Sequence, residues 1–457
     1  MRAAVLRELD GSLGGTMRLM TIAVLAALYL CTDAVAQVQG APLLDSDPTR
    51  LRLMQGFPVP EAAQVRWDDG SMWTFPKTRW SFSHIRELLP TVAIRRGAGL
   101  PSSLPRAERT DLDAVRFTTL DGRQMTWRDS LDANYTDGIV VLHRGKIVYE
   151  RYFGALGPND QHVAMSVTKS FVGTLAEALI AEGRLDPTRR VASYVPELAA
   201  SGFGDATVRQ VMDMRTALQY SESYAGFGSG LSDVSRMEIA AGRVVAPAGY
   251  VGPVGNYPYA ASIAKSGEHG GDFIYKTPNS IVLGWILERV TGKSLANQIE
   301  ERVWQPMGME QDASLAVDRL GTAFSGAGFS ASLRDMARFG EMIRLGGRWN
   351  GRQILSSPTI QAILRGGDPA AFVKASYPGL EGGSYASQWW HTAGGQTLAL
   401  GIHGQGIYID PKAELVIARF ASHLTASNRD INPVTIPAYA AIAAHLAAHL
   451  AAHPTPR

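Results

Sequence analysis

The order in which strand-like and helix-like segments follow one another constrains this chain more than any single residue does. Residues 138–154, GIVVLHRGKIVYERYFG, are two β-rich runs around Arg144-Gly145, the pattern of a hairpin. The last third turns β-rich again. SYASQWWHTAG, GQTLALGIHGQGIYID and AELVIARFAS form three strand-like runs, with turns at Ala393-Gly394-Gly395 and Asp410-Pro411. Between these regions the pattern is mainly helical, and the C-terminal IPAYAAIAAHLAAHLAAH is an alanine-rich helix. Strands, helices, strands and a final helix imply an α+β chain whose antiparallel sheet is assembled from both ends. Helices flank that sheet, and the middle of the chain forms a mostly helical second lobe. The expected parts are an irregular arm at 37–110, an α/β domain from 111–190 and 331–452, and a helical lobe at 191–330.

Composition narrows the function. The 457 residues are 46% apolar and 19% charged, enough for a sizeable core and too little charge for a disordered chain. A net charge of +2 without a basic run offers nothing to nucleic acid. The single cysteine, Cys31, excludes an intramolecular disulfide and a cysteine-based zinc site. His445, His449 and His453 recur at helical spacing, but no carboxylate accompanies them, and the repeat reads as a low-complexity Ala/His helix. No metal and no cofactor are expected.

Cys31 lies in a segment with the layout of a secretory signal. Residues 17–36, MRLMTIAVLAALYLCTDAVA, carry Arg18, an apolar run, and Ala34-Val35-Ala36 before Gln37. The run is about a dozen residues, short of the roughly 20 that span a bilayer. Met17 is a possible true start, since residues 1–16 add Glu8 and Asp10, which a signal rarely carries. Leu30 stands where lipid attachment at Cys31 would call for a small residue. The expectation is cleavage after Ala36, no membrane span in the mature chain, and a periplasmic or secreted protein.

The chemistry points to residues 162–185, HVAMSVTKSFVGTLAEALIAEGRL. Val172, Leu175, Ala176 and Leu179 are spaced as one face of a helix, and Gly183 and Pro187 stop it. Ser166 and Lys169 stand three apart in the first turn, on one face. The helix N-terminus favours an alkoxide over a neutral hydroxyl. This is a way to activate a serine without histidine. A second Ser-x-x-Lys, Ser262 to Lys265, falls in a Gly/Ser/Pro-rich stretch with no helical stripe and is read as loop. Tyr275 precedes another helical stretch, 279–290. Trp389 and Trp390 alternate faces on a strand, so one belongs to the core and Trp390 is the candidate for a cleft wall.

SVTKS opening a helix, Tyr275 before a second helix, and a late hairpin ending in GQGIYIDP resemble the serine β-lactamase and penicillin-recognising superfamily. Within it, MQGFPVPEA, RWSFSHIRELLPT, MSVTKSFVG, SQWW and ALGIHGQ are most similar to the class C-like branch of 6-aminohexanoate-dimer (nylon-oligomer) hydrolases, over roughly residues 50 to 450. The resemblance implies a β-lactamase/transpeptidase-like fold, Ser166 as nucleophile, and Lys169 and Tyr275 as its proton-transfer partners. It also implies an oxyanion hole from the backbone N–H groups of Ser166 and Ile402, and Tyr224 as a substrate contact. The family's Tyr-x-Asn is here Tyr275-Lys276-Thr277, so Asn279 becomes the alternative amide. The family's strand lysine is replaced by Ala399, which removes the usual partner of a β-lactam carboxylate.

To act as base near neutrality, a lysine (free pKa ~10.4) or tyrosine (~10) must fall by roughly three units, about 4 kcal/mol. A Lys–Tyr pair titrates as a unit. One oxyanion donor is worth about 2.7–4 kcal/mol, more than a single side-chain contact to substrate. The expected function is exported hydrolysis of a small-molecule amide or ester through an acyl-Ser166 intermediate. The alternatives are a β-lactamase or D-Ala-D-Ala carboxypeptidase, and a non-catalytic binding or sensor domain of the same fold.

Overall fold

The computed structural model describes residues 43–227 and 231–452. The expected leader at 1–36, with Cys31 and the cleavage position after Ala36, lies outside the described residues, as does His453.

The arm enters the fold through β1 (Thr91–Ile94). Next come the hairpin strands β2 (Thr136–His143) and β3 (Lys146–Tyr152), short β4 (His162–Val163) and helix α1 (Val167–Ala181). The helices α2 (Asp233–Ala240), α3 (Asn256–Ser262) and α4 (Pro278–Thr291) follow, then β5 (Ala313–Ala316), β6 (Phe329–Ala331) and α5 (Leu333–Arg344). The chain closes with β7 (Ser384–Ala386), β8 (Trp389–His391), β9 (Thr397–Gly401), β10 (Gln405–Asp410), β11 (Leu415–Ala421) and α6 (Asn428–Ala452).

The principal sheet has seven strands in the order β7-β8-β9-β10-β11-β2-β3, every pair antiparallel. Its centre joins the two ends of the chain: β11 pairs with β2 from Leu415 opposite His143 to Phe420 opposite Gly138. Arg144 (φ 53°) and Gly145 (φ 76°) make the hairpin turn between β2 and β3. Two left-handed residues match the twist of the strands they join.

Alternation along the strands sends Val140, Leu142, Ile407, Ile409, Val416 and Ala418 to one face, against α1 and α5. Ile139, Val141, Leu398, Tyr408 and Ile417 face the other way, against Val434, Ala438, Tyr439 and Ile442 of α6. Covering both faces explains why every residue of β2 is buried. α6 is the one helix among the described residues long and apolar enough to cross a membrane; half of it is buried in the protein. It starts before the alanine-rich run and includes Pro433 and Pro437.

Helix α1 ends as its sequence predicts. Gly183 is left-handed (φ 70°), and the N–H groups of Gly183 and Arg184 return to the carbonyls of Ile180 and Leu179, each at 2.9 Å. The expected one-sided stripe is exceeded, for Val167 through Leu179 are all buried. Phe171 stacks on Phe339 of α5 at 3.9 Å. On another side Glu177 takes a 2.8 Å bond from Arg209 and a bond from the Ser387 hydroxyl. A buried carboxylate satisfied in this way lets a polar position enter the core.

Three readings are corrected. The mainly helical middle of the chain also holds strands: β5 and β6 join β1 and β4 in a second sheet, order β1-β5-β6-β4. Their runs of three and four residues were too short to register as strand periodicity. The 251–272 stretch, read as loop, contains α3, and Ser262 is its last residue, its hydroxyl bonded to the Tyr259 carbonyl at 2.7 Å. The arm is more than a cover. Beyond supplying β1, it sends the Trp67 and Trp73 indole N–H groups to the carbonyls of Gly242 (3.1 Å) and Arg243 (3.0 Å).

Candidate active site

Ser166 caps the N-terminus of α1, after Met165 in a left-handed conformation (φ 47°). A non-glycine residue held there costs of order 1–3 kcal/mol, so the surroundings must fix it. They do so from two sides: the Ala164 N–H donates to the Phe329 carbonyl at 2.8 Å, and the Thr168 hydroxyl to the Met165 carbonyl at 2.6 Å. The arm's apolar cluster, with Phe82 and Met72, packs on Met165 and Ile402.

Lys169 lies one turn along, 1% exposed. Its Nζ donates to Ser166 Oγ at 3.0 Å and to the Gly326 carbonyl at 2.5 Å. Burial lowers its pKa to about 8; the negative charges of Glu222 and Glu238 oppose the fall, and Arg243 adds to it. The Nζ sits 5.2 Å from the Tyr275 ring centroid.

Tyr275 precedes α4 and stacks on Trp390 with centroids 5.4 Å apart and planes 19° from parallel. The neighbouring Ser166 side chain acts to lower the pKa of its phenol. Burial, reinforced by Glu222, pushes that phenol well above its ordinary pKa. Burial thus disfavours the charged form of both groups, the phenolate of Tyr275 and the ammonium of Lys169.

Strand β9 completes the cluster. A Cβ on Gly401 would lie 2.7 Å from the Ala164 carbonyl and 3.1 Å from the Met165 Cβ, so this strand end presses on the turn that carries Ser166. Glycine permits that approach and brings Ile402 to the cavity that Ser166 opens into. Ala399, two residues earlier, is fully buried in the core and adds no charge.

The cavity measures about 660 Å³ and is lined by Ser166, Tyr275 and Ile402, with Glu222, Tyr224, Tyr377 and Trp390 on its walls and Arg429 among its rim residues. Its scale fits a small molecule. Trp389, the strand neighbour, is fully buried, its indole N–H bonded to Thr174 at 3.2 Å. A larger open depression of about 1070 Å³, lined by His84, Arg86 and Arg96 among others, holds none of these groups.

Of the residues singled out in the sequence, Ser166, Lys169, Tyr275 and Ile402 come together, with Tyr224 and Trp390 on the same cavity. Asn279 does not join them. It is fully buried, accepts a 2.8 Å bond from Thr216, donates to the Lys276 carbonyl at 3.1 Å, and stands behind the wall. Its position in the first turn of α4 turns the amide inward. His445 pairs with Asp111 at 2.6 Å, and no group of three metal-ligating side chains occurs among the described residues.

Glu222, Tyr377, Arg429 and the Gly326 carbonyl were missed. Glu222 lay in view, two residues before Tyr224 in QYSESYAG. Arg429 sits 4.8 Å over the Tyr377 ring and donates to the Ala375 carbonyl at 2.9 Å, a meeting of distant segments with no local sequence signal.

The pattern described as Beta-lactamase matches residues 132–441, more than half of the chain. The chain belongs to the β-lactamase family. Among curated proteins it is 35% identical over 350 residues to 6-aminohexanoate-dimer hydrolase of Paenarthrobacter ureafaciens, covering 76% of this chain and 86% of that one. Among solved structures it resembles a Bacillus anthracis protein described as a candidate 6-aminohexanoate-dimer hydrolase. That likeness has a TM-score of 0.77 and 31% identity over 84% of this chain and 99% of the other. A hydrolase with promiscuous acyltransferase activity, 15% identical, shares the fold with a TM-score of 0.53 over 69% of this chain and 96% of its own. This β-lactamase family member is a serine hydrolase with the transpeptidase-like α+β fold.

Proposed function

We propose that this enzyme is exported and hydrolyses linear small-molecule amides or esters, of the 6-aminohexanoate-dimer kind, through an acyl-Ser166 intermediate. The observation that carries the reading is the 3.0 Å contact between Ser166 Oγ and a buried Lys169 whose pKa has fallen to about 8. At neutral pH about one lysine in ten is then the free amine that can accept the serine proton. Ser166 Oγ attacks the carbonyl carbon, and the oxyanion rests on the backbone N–H groups of Ser166 and Ile402. The neutral Tyr275 hydroxyl supplies a proton to the leaving nitrogen or oxygen and is recharged through Lys169. Water then attacks the acyl-enzyme, with the proton passing to the same amine.

Linear substrates are favoured by the absence of a cation at Ala399 and by walls of Tyr224, Tyr377 and Trp390. Export rests on the signal-like layout of residues 17–36. A panel of p-nitrophenyl esters, anilides, the linear 6-aminohexanoate dimer and nitrocefin, with wild type and Ser166→Ala, tests the activity. Turnover of esters and linear amides with an acyl adduct on Ser166 by mass spectrometry is expected. Turnover that survives Ser166→Ala, or a preference for nitrocefin, would overturn it.

A further inference from the structure

One carboxylate on the cavity wall is not used by the mechanism above. Glu222 Oε2 accepts the Thr277 N–H at 2.7 Å, and its Oε1 accepts the Thr277 hydroxyl at 2.6 Å. The same Oε1 accepts the Tyr224 hydroxyl at 3.0 Å. These are charge-assisted bonds, about twice as strong as neutral ones. Thr277 stands two residues after Tyr275, where the side chain expected from the resemblance is an amide. Here the threonine side chain is consumed by Glu222 and does not line the cavity. Gly326, whose carbonyl holds Lys169, touches the same residue: a Cβ on it would meet Thr277 Cγ2 at 2.5 Å. One acidic side chain thus holds the Tyr275 turn and the Tyr224 hydroxyl, and through Thr277 abuts the loop that anchors Lys169.

We propose that Glu222 is a positioning residue of this active site: it locks the Tyr275 turn through Thr277, fixes Tyr224, and places a fixed negative charge beside the Ser166–Lys169–Tyr275 cluster. The inference rests on the assignment of proton transfer to Lys169 and Tyr275. Its charge acts on both. It favours the ammonium form of Lys169, together with Glu238 and against burial and Arg243. It disfavours the phenolate of Tyr275, together with burial and the neighbouring Tyr377. Burial, with a smaller part from the same charge, raises the phenols of Tyr220, Tyr224 and Tyr385. Burial and Glu222 together keep Tyr275 a proton donor, while burial and Arg243 free the lysine.

Two variants separate the holding role from the charge. Glu222→Gln keeps shape and one acceptor oxygen and removes the charge. The acidic limb of its kcat/KM–pH profile is expected to move to lower pH by about half a unit or more, with kcat at the alkaline plateau falling about tenfold. Thr277→Val keeps the charge and removes one of the two anchoring bonds. Its kcat is expected to fall about tenfold with KM within about twofold and the limb unmoved. A Glu222→Gln limb within about 0.2 unit of wild type overturns the electrostatic role, and Thr277→Val kcat within about twofold overturns the anchoring role. If Glu222→Gln does not fold, Glu222→Asp, which keeps the charge but shortens the arm, replaces it: kcat down about tenfold with an unmoved limb is expected, and unchanged kcat is refuting. Fluorophosphonate labelling of wild-type Ser166 is run alongside. Its failure would sink the site assignment itself, an outcome distinct from any result on Glu222.

Discussion

The lowered pKa of Lys169 has a direct kinetic consequence. Its ammonium is destabilised by burial, from 10.5 to about 8, a cost of about 3 kcal/mol that the folded protein carries in order to hold a free amine near neutrality. If that amine is the base, acylation follows its neutral fraction, about 1% near pH 6, about 10% near pH 7 and about 90% near pH 9. The rate of acylation should therefore climb roughly ninetyfold between about pH 6 and pH 9 and level off above pH 8. Lys169→Arg keeps a cation at the site but substitutes a guanidinium that does not deprotonate. It should lose at least about a hundredfold in kcat/KM near pH 7, together with the acidic limb. The assay is pre-steady-state release of p-nitrophenol from an acetate or butyrate ester, with the Ser166→Ala rate subtracted at each pH. A profile flat from about pH 6 to pH 9, or an arginine variant retaining more than about a tenth of wild-type activity, would refute lysine as the base.

Three further outcomes follow from the geometry. Tyr275→Phe preserves the stack on Trp390 but removes the hydroxyl, so kcat should fall by about a hundredfold or more with folding unchanged by circular dichroism. Gly401→Ala puts a methyl 2.7 Å from the Ala164 carbonyl and pushes Ile402 off the cavity, and loss of that oxyanion donor should cost about 10²–10³ in kcat while urea stability changes far less. Burial lowers the pKa of His391 to about 4. A depressed folded-state value means the unfolded chain binds more protons between about pH 6.5 and pH 4, so stability present above that window is lost as pH falls through it. At about pH 5 the loss from this residue is about 2 kcal/mol, and His391→Gln should shrink the difference between the urea-derived unfolding free energies at pH 7 and pH 5 by that amount.

Elements with a strong local pattern were legible in the sequence. The hairpin at Arg144-Gly145 and the Gly183 stop are set by turn chemistry within a few residues, and the structure has them; the run 395–410, read as one strand, is two, β9 and β10, turned at Ile402–Gly404. Ser166 and Lys169 were legible because a single helical turn brings them together. What escaped was decided by packing between distant segments. The short strands 313–316 and 329–331 exist because the arm and β4 pair with them, which no window of sequence displays. Asn279 was misplaced because the direction of its amide depends on Thr216, far away in the chain. Glu222 has the local sequence of any loop acid, and its setting depends on Thr277, far along the chain, donating to it.

The pairing of β2 with β11 sets when this protein can fold. Residue 143 leaves the ribosome long before residue 415, yet the two are neighbours at the middle of the sheet. Until then the β2–β3 hairpin, apolar on both faces and marginal by itself, has only helices to shelter it. Such long-range closure makes for slow assembly and a sticky, half-made intermediate. A chain ended before residue 421 would present an open sheet edge instead of a smaller enzyme. The Ser166 turn is fixed by the Phe329 carbonyl far along the chain, and Ile402 arrives only with the last strands. The proposed site is therefore assembled only when the last strands are in place, and catalytic competence is expected to mark the completed fold.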